Sequence, residues 1–175
     1  MARLSGRRVG VFVEEGFEDL EFWVTVMRLR EEGADVTIVG THAGERYRGK
    51  NALSAASDVA AKEVSADDFD AVVVPGGWAP DKLRRDPAVL SLVREIHTRG
   101  GLVATICHGP WILISAGIVR GRRLTSTVGI RDDLVNAGAA IDGLGQGMQG
   151  GQCRHGDFRG RRRAEGAAAI HAGRE

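Results

Sequence analysis

Short apolar runs alternate with longer mixed segments along the first 117 residues, and this alternation predicts strands followed by helices. Four of the apolar runs are rich in β-branched residues and lead into glycine-containing or polar turns, which is typical of buried strands. These runs lie at residues 8–13, 35–39, 70–75 and 102–106. Strands alternating with helices predict one doubly wound α/β fold, with a mainly parallel sheet sandwiched by helices.

The helical pattern is clearest between the first two strands, in residues 18–32. Its apolar positions follow the i, i+3, i+4, i+7 spacing of an amphipathic helix whose apolar face meets the core, and Gly33 provides the stop. These positions are Leu20, Trp23, Val24 and Met27. A later helix is predicted from Asp86-Pro87, where an N-cap carboxylate precedes a proline at the first helical position. Its buried side is expected to carry Val89, Val93 and Ile96.

Three turns follow the carboxyl ends of predicted strands, and we expect them to surround one cleft, because ligand sites of doubly wound sheets lie there. The turns are residues 14–18, 76–81 and 107–110. Cys107 lies at the bend between the strand and the helix that follows Gly109-Pro110. A thiol on such a nucleophile elbow is exposed at the sheet edge and faces free backbone N–H groups of the helix. Cys107 is therefore the candidate nucleophile.

Four further residues are candidates for the same site. His108 is expected to hold positive charge near the sulfur or to shuttle a proton, which would lower the thiol pKa from its free value of about 8.5. Glu18 begins a helix at the first turn, where it either orients the thiol and carries a proton or serves only as a helix-start carboxylate. Gly76 and Gly77 are either donors of backbone N–H groups to an oxyanion or ordinary turn residues.

Charge and composition narrow the classes of partner. The 24 Lys and Arg against 23 Asp and Glu leave a formal charge of +1, which argues against a broad surface for nucleic acid or anionic lipid. No apolar run approaches the roughly 20 residues that span a bilayer, and the first residues lack a signal peptide, so a cytoplasmic location is expected. The two cysteines are expected to be free thiols. The absence of metal-ligand spacing, of GxGxxG and of a Walker A loop predicts no metal and no nucleotide cofactor.

Several segments of this chain resemble the PfpI family, which belongs to the superfamily of the parkinsonism-associated deglycase. The resemblance spans about residues 7–138 and is most specific at the cysteine elbow and the Glu-Asp-x-Glu motif. The matching segments are Gly16–Glu21, Phe69–Ala71, Pro75–Asp81, Ala104–Pro110, Ile114–Gly117 and Ile130–Gly138.

The resemblance implies a flavodoxin-like fold and a cysteine-dependent stress-response enzyme. Cys107 would be the nucleophile, Glu18 would hydrogen-bond its sulfur, and His108 would be its partner. Asp81 matches an acidic position that a neighbouring subunit contributes to the site. Relatives are described as intracellular peptidases, as glyoxalases or deglycases acting on dicarbonyl adducts, and as chaperones. The implied partners are a dicarbonyl or peptide substrate and further copies of the chain, in dimers that often build hexamers.

Two positions near the expected site depart from the family pattern and leave the substrate preference open. Trp78 stands where the family usually has Arg, and Thr127-Val128 replaces a common Tyr-Pro.

The end of the chain departs further, so we divide the sequence into a PfpI-like α/β domain at 1–140 and an atypical Gly- and Arg-rich tail at 141–175. No strand is predicted in the tail, which leaves a sheet edge uncovered, and its composition favours poor order. Codons for residues 150–158, shifted by one base, can encode Gly-Asn-Val-Val-Thr-Ala-Thr-Ser, the ending typical of the family. A frameshifted tail is the hypothesis, and an intact reading frame with unrelated codons would refute it.

Three functions compete on this evidence. The first is attack of the Cys107 thiolate on an electrophilic carbonyl, of a dicarbonyl compound or of a peptide. The second is a noncatalytic redox sensor or chaperone with an oxidisable Cys107. The third is a glutamine amidotransferase-like domain, whose late His-x-Glu segment His155-Gly156-Asp157 imitates only superficially.

Overall fold

The computed structural model describes residues 2–141 and the backbone of residues 167–171. Strands and helices alternate along the chain as the sequence predicts. The strands are β1 Arg8–Phe12, β2 Asp35–Gly40, β3 Arg46–Arg48, β4 Ser54–Ala56, β5 Val59–Ala60, β6 Ala71–Val74, β7 Leu102–Ile106, β8 Arg123–Leu124, β9 Ala140–Ile141 and β10 Ala167–His171. The α-helices are α1 Asp19–Glu31, α2 Ala79–Leu83, α3 Pro87–Thr98, α4 Pro110–Ser115 and α5 Arg131–Asn136.

The central sheet has the strand order β10-β7-β6-β1-β2-β5. Its five strands from β7 to β5 are parallel, and β10 pairs antiparallel with β7. The predicted α/β class with a mainly parallel sheet is confirmed. Strand order reverses between β1 and its two neighbours, β6 and β2, so the turns after β1, β6 and β7 open at one edge of the sheet.

The core lies along these strands, because both faces of a parallel sheet are covered and its strands carry continuous apolar runs. Val11 and Phe12 of β1, Val72 and Val74 of β6 and Val103 of β7 are fully buried. Helix α3 also forms as predicted. The Asp86 side chain caps it by accepting a hydrogen bond from the Ala88 N–H at 2.8 Å, and Val89, Val93 and Ile96 are fully buried.

Helix α1 forms where it is predicted, but the prediction of its buried face is wrong at three of its four positions. Phe22 and Val26 are fully buried, and the Phe22 ring lies 4.8 Å from that of Phe17. Leu20, Val24 and Met27 are 65%, 54% and 65% exposed. Trp23, the fourth predicted position, is partly buried against the core. The helix carries two apolar stripes, and the stripe of Phe22 and Val26 packs inward, where the Phe22 ring meets that of Phe17.

The prediction that no strand follows residue 140 is also wrong. Strand β9 pairs with β8, and β10 covers the edge of β7 that the sequence left uncovered. The Ala-rich run 167–171 has neither alternation nor β-branched enrichment, so its pattern carries no strand signal. The rest of the tail, with Cys153, His155 and the possible frameshift segment 150–158, lies outside the described residues.

Candidate functional site

Cys107 directly follows β7 and has a strained backbone conformation. Its φ of 56° is in the left-handed region, which costs a non-glycine residue on the order of 1–3 kcal/mol. The turn is completed by Gly109, whose N–H donates to the Ile106 carbonyl at 2.7 Å. A Cβ at Gly109 would lie 2.6 Å from the Val74 carbonyl oxygen, so only glycine fits there. This geometry is the sharp strand-to-helix elbow that the sequence predicts, with the thiol half-buried.

The carboxyl group beside this thiol is Glu21, which sequence reasoning missed. Glu21 Oε2 accepts a hydrogen bond from the Gly76 N–H at 2.7 Å, and the Glu21 side chain hydrogen-bonds Cys107. A Cβ at Gly76 would lie 2.6 Å from the Cys107 Cβ and 2.7 Å from Glu21 Oε2. Three segments therefore meet where Gly76 has no side chain.

Glu18 is turned to a different partner. It is the N-cap of α1, and its Oε2 accepts a hydrogen bond from the Glu21 N–H at 2.8 Å. The structure thus places Glu21 at the thiol where the resemblance implied Glu18, and it gives Glu18 the helix-start position that was the alternative. Burial and, to a smaller extent, the Glu18 charge raise the pKa of Glu21, although the Gly76 N–H opposes them. The Glu-Asp-x-Glu motif contained both carboxylates, and the cap geometry decides between them.

The two glycines of the second turn do not serve the site in the same way. The Gly76 N–H is directed to Glu21, whereas the N–H groups of Gly77 and His108 hydrogen-bond the Cys107 sulfur. Gly77 has a φ of 80°, and a Cβ there would lie 2.5 Å from the Gly16 carbonyl oxygen. The backbone donors therefore surround the sulfur itself, where they stabilise negative charge.

His108 lies against the thiol, with 3.1 Å between its Nδ1 and the Cys107 Sγ. Burial, and then the positive charge of Lys50, lower its pKa. A lowered pKa favours the neutral imidazole over the positively charged form that was one expectation for this residue. A neutral imidazole is suited to shuttling a proton, which was the other expectation for this residue.

Burial and then the Glu21 charge raise the pKa of the Cys107 thiol. The backbone N–H groups of Gly77 and His108 and the charge of Lys50 act in the opposite direction. The lowered thiol pKa expected from the sequence is therefore wrong, mainly because the thiol is half-buried. When Glu21 takes up a proton, its repulsion disappears, whereas the effect of burial and the opposing effects of the two N–H groups and the Lys50 charge remain.

Asp81 lies on α2 and forms an ion pair with Arg85 at the surface. Within the described residues of this one chain, no hydrogen bond or ion pair joins it to Cys107 or His108. A role for Asp81 in the site would require a neighbouring subunit, as the resemblance implies.

Lys50 and Trp78 border the site and form a cation–π contact, with 5.5 Å between the Lys50 Nζ and the ring centroid. Trp78 is 64% exposed. Lys50 affects the pKa of Glu21, Cys107 and His108 through its charge. Sequence reasoning missed Lys50 because it lies in the irregular segment 41–69, and only the fold brings it to the cleft.

The residues that form this fold and site are matched by a known protein family. The model of the DJ-1/PfpI family matches residues 7–144. The chain is 48% identical over 122 residues to a deglycase named PfpI from Pyrococcus furiosus, covering 70% of this chain and 73% of that protein. It is 36% identical to a putative cysteine protease of Bacillus subtilis, YraA, covering 76% of this chain and 79% of the relative. The crystal structure of Drosophila melanogaster DJ-1beta superposes with a TM-score of 0.73 at 31% identity, covering 79% and 74% of the two chains. The expected flavodoxin-like fold is thereby confirmed.

The residues that the structure describes contain neither a membrane-spanning helix nor a cluster of metal ligands. None of their helices is long and apolar enough to cross a membrane. Within the same residues, no group of three or more His, Cys, Asp or Glu side chains could hold a metal ion.

Proposed function

Because this chain belongs to the DJ-1/PfpI family, we propose that it is a cysteine-dependent deglycase or glyoxalase that acts on α-dicarbonyls such as methylglyoxal and on their protein adducts. The observation that carries the proposal is the strained Cys107 elbow with the side chains of Glu21 and His108 on its sulfur. A thiol placed between a proton-holding carboxyl group and an imidazole is equipped to add to an aldehyde and to move protons afterwards.

The first step forms a hemithioacetal. The Cys107 thiol gives its proton to Glu21, whose raised pKa suits it to hold that proton. The sulfur adds to the aldehyde carbon, so that a C–S bond forms and the carbonyl π electrons move to oxygen. That oxygen takes up the proton from Glu21. With the proton on Glu21, the N–H groups of Gly77 and His108 stabilise the attacking thiolate.

The second stage transfers hydrogen within the bound substrate. His108 removes the proton from the former aldehyde carbon, which gives an enediolate, and the imidazolium returns this proton to the neighbouring carbon. The hydroxyl proton on the former aldehyde carbon moves to the oxygen of the neighbouring carbon, so that the thioester and the alcohol form together. The aldehyde carbon is thereby oxidised to a thioester and the ketone carbon reduced to an alcohol, without an external redox partner. Water then hydrolyses the thioester, which releases lactate and restores the thiol. The sum is methylglyoxal plus water giving lactate.

We propose that the reaction needs no cofactor, because the substrate, water and the side chains of Glu21, Cys107 and His108 supply every proton and electron in these steps. A cytoplasmic location belongs to the proposal, because the mechanism requires Cys107 as a free thiol in a reducing compartment.

We also propose that the working form is a homo-oligomer. The exposed stripe of Leu20, Val24 and Met27 on α1 supports it, because exposed apolar patches mark interfaces between proteins.

Assembly would allow a neighbour's Asp81 to approach the site. That arrangement would favour peptide hydrolysis, the second candidate, which the likeness to the putative protease of B. subtilis supports. Hydrolysis of a peptide needs protonation of a leaving amine, so it should require both His108 and Asp81.

The test is to measure methylglyoxal consumption and lactate formation by the purified protein, with Cys107→Ala and Asp81→Asn in parallel. Lactate formation that Cys107→Ala abolishes and Asp81→Asn spares would support the dicarbonyl reaction. A folded protein that forms no lactate, yet cleaves a peptide in a manner dependent on Asp81, would refute it in favour of hydrolysis.

A further inference from the structure

The turn that carries Lys50 is held in a strained conformation at the mouth of the Cys107 site. Ala52, two residues on, has a φ of 76° in the left-handed region that non-glycine residues avoid. Such strain persists only where the surroundings over-determine the backbone, and it concentrates at functional sites. The turn closes on itself through hydrogen bonds from the Gly49 N–H to the Leu53 carbonyl at 2.7 Å and from the Ala52 N–H to the Gly49 carbonyl at 3.1 Å.

A buried carboxylate, Asp19, fixes this turn. Only 2% of Asp19 is exposed, and its two oxygens accept hydrogen bonds from the N–H groups of Asn51 and Leu53, each at 2.8 Å. The Asp19 carboxylate lies so close to the turn that a Cβ at Gly49 would be 2.5 Å from Asp19 Oδ2. Asp19 is the first residue of α1, so it ties the Lys50 turn to the helix that carries Glu21.

Trp78 fixes the other end of the lysine side chain. The Lys50 ammonium lies over the Trp78 ring, and such contacts favour a cation near the ring face. Both residues are attached to the same short segment, since the Lys50 N–H donates to the Phe17 carbonyl at 2.9 Å and the Trp78 N–H to the Gly16 carbonyl at 2.8 Å. The ammonium is thus placed beside the cleft by two independent anchors.

The positive charge is available to a ligand. Lys50 is exposed, and among the ion pairs of residues 2–141 none includes it. Its charge nevertheless reaches the thiol, the Glu21 carboxyl group and His108. Glu18 and Glu21 would repel an anion from this cleft, so an anionic substrate needs a cation at this place.

We propose that Lys50, positioned by Asp19 and Trp78, is the specificity residue of this site and selects α-dicarbonyl substrates that carry a carboxylate or phosphate. The inference rests on the proposed dicarbonyl chemistry for its substrate class. The recognition of charge beside Cys107 can be measured without any turnover.

The measurement compares two alkylating reagents that differ in charge. Anionic iodoacetate and neutral iodoacetamide both react with the Cys107 thiolate and release iodide, so the fraction of thiolate cancels in the ratio of their rates. Mass spectrometry of the tryptic peptide 100–120, which contains Cys107 and not Cys153, follows each rate. Lys50→Gln should lower the iodoacetate-to-iodoacetamide ratio about 3- to 10-fold at low salt, and added salt should reduce the difference.

Lys62→Gln is the matched control, because Lys62 is also exposed and lies in the separate turn Ala61–Glu63. An unchanged ratio in this control with a lowered ratio in Lys50→Gln supports the inference. Equal ratios in the native protein and Lys50→Gln would overturn it, whatever the protein does to methylglyoxal.

Substrate preference supplies the second readout. The kcat/KM for 4-carboxyphenylglyoxal relative to phenylglyoxal should fall in Lys50→Gln by a factor similar to that of the reagent ratio. Failure of the proposed function is seen separately, as absence of turnover with methylglyoxal and with both aryl compounds. If the two aryl compounds are turned over and their relative kcat/KM is unaffected by Lys50→Gln, the specificity inference is refuted while the dicarbonyl reaction stands.

Discussion

The Glu21 carboxyl group accepts a hydrogen bond from the Gly76 backbone N–H, with 2.7 Å between Oε2 and N. This bond fixes the carboxyl group of α1 against the turn after β6, and the Cys107 elbow closes the same space from β7. The segments that follow the three parallel strands β1, β6 and β7 therefore bring Glu21, Gly76 and Cys107 together. Glu18, three residues earlier on the same helix, is occupied with capping α1.

Substitution of Glu21 and substitution of Glu18 should have different effects on activity and stability. Glu21→Gln is expected to lower kcat/KM for methylglyoxal by roughly 100-fold or more, because an amide cannot hold the thiol proton. Glu18→Gln is expected to keep activity within a few-fold and to lower the free energy of unfolding by about 0.5–1 kcal/mol through a weaker cap. Steady-state kinetics and urea unfolding of both variants test this. Equal activity losses would contradict the assignment of the two roles.

Gly76 should tolerate no side chain. In Gly76→Ala the new methyl group would lie 2.6 Å from the Cys107 Cβ and 2.7 Å from Glu21 Oε2, so the elbow and the carboxyl group must separate. Activity is expected to fall at least tenfold, with a loss of about 1–3 kcal/mol in stability from overpacking. Gly129→Ala is the control, because its Cβ would lie at an ordinary 3.8 Å from His108 Nε2. Similar behaviour of both variants would argue against the close packing described.

Sequence patterns predicted the parallel sheet, the elbow at Cys107 and the convergence of three turns, because each depends on local runs and on the chirality of α/β units. These patterns failed where the sequence allowed two alternative local arrangements. Helix α1 has two apolar stripes, and the choice of Phe22 over Leu20 depends on packing with Phe17. The choice of Glu21 over Glu18 at the thiol depends on which carboxylate the helix start engages. Lys50 has no sequence signal, since the position of its turn results from hydrogen bonds that Asn51 and Leu53 donate to Asp19, more than 30 residues away.

His108 should titrate below the ordinary histidine range. Burial and Lys50 lower its pKa, so an NMR titration of its ring should have a midpoint below about 6.5, and Lys50→Gln should raise that midpoint. The folded state binds this proton less tightly than the unfolded chain does, so this residue reduces stability as the pH falls below about 6.5. Glu21 has the opposite sign, since its raised pKa contributes stability that is lost as the pH rises through its folded-state value. A His108 midpoint above the ordinary range would contradict the described burial.

Asp19→Asn should loosen the Lys50 turn without touching the thiol. The amide presents one oxygen where the carboxylate presents two, so one of the two N–H groups, of Asn51 or Leu53, loses its acceptor. The expected cost is about 1–3 kcal/mol of unfolding free energy. The iodoacetate-to-iodoacetamide ratio at Cys107 should fall, whereas the iodoacetamide rate alone should stay within about twofold of the native rate, since Asp19 has no contact with the sulfur. A fall in both rates by the same factor would mean that the elbow itself had moved.

The exposed stripe of α1 should control assembly. Val24 is 54% exposed between Leu20 and Met27, so Val24→Glu leaves the core of one chain intact while placing a charge in any interface formed there. Light scattering should show the native protein as an oligomer and the variant shifted towards monomer, with an unchanged urea midpoint at low protein concentration. Val135→Glu is the control, because Val135 is similarly exposed on α5.

If peptide hydrolysis depends on a neighbour's Asp81, it should disappear with the oligomer while lactate formation persists. A native protein that remains monomeric at high concentration would remove both the proposed interface and the contribution of Asp81 from a neighbouring chain.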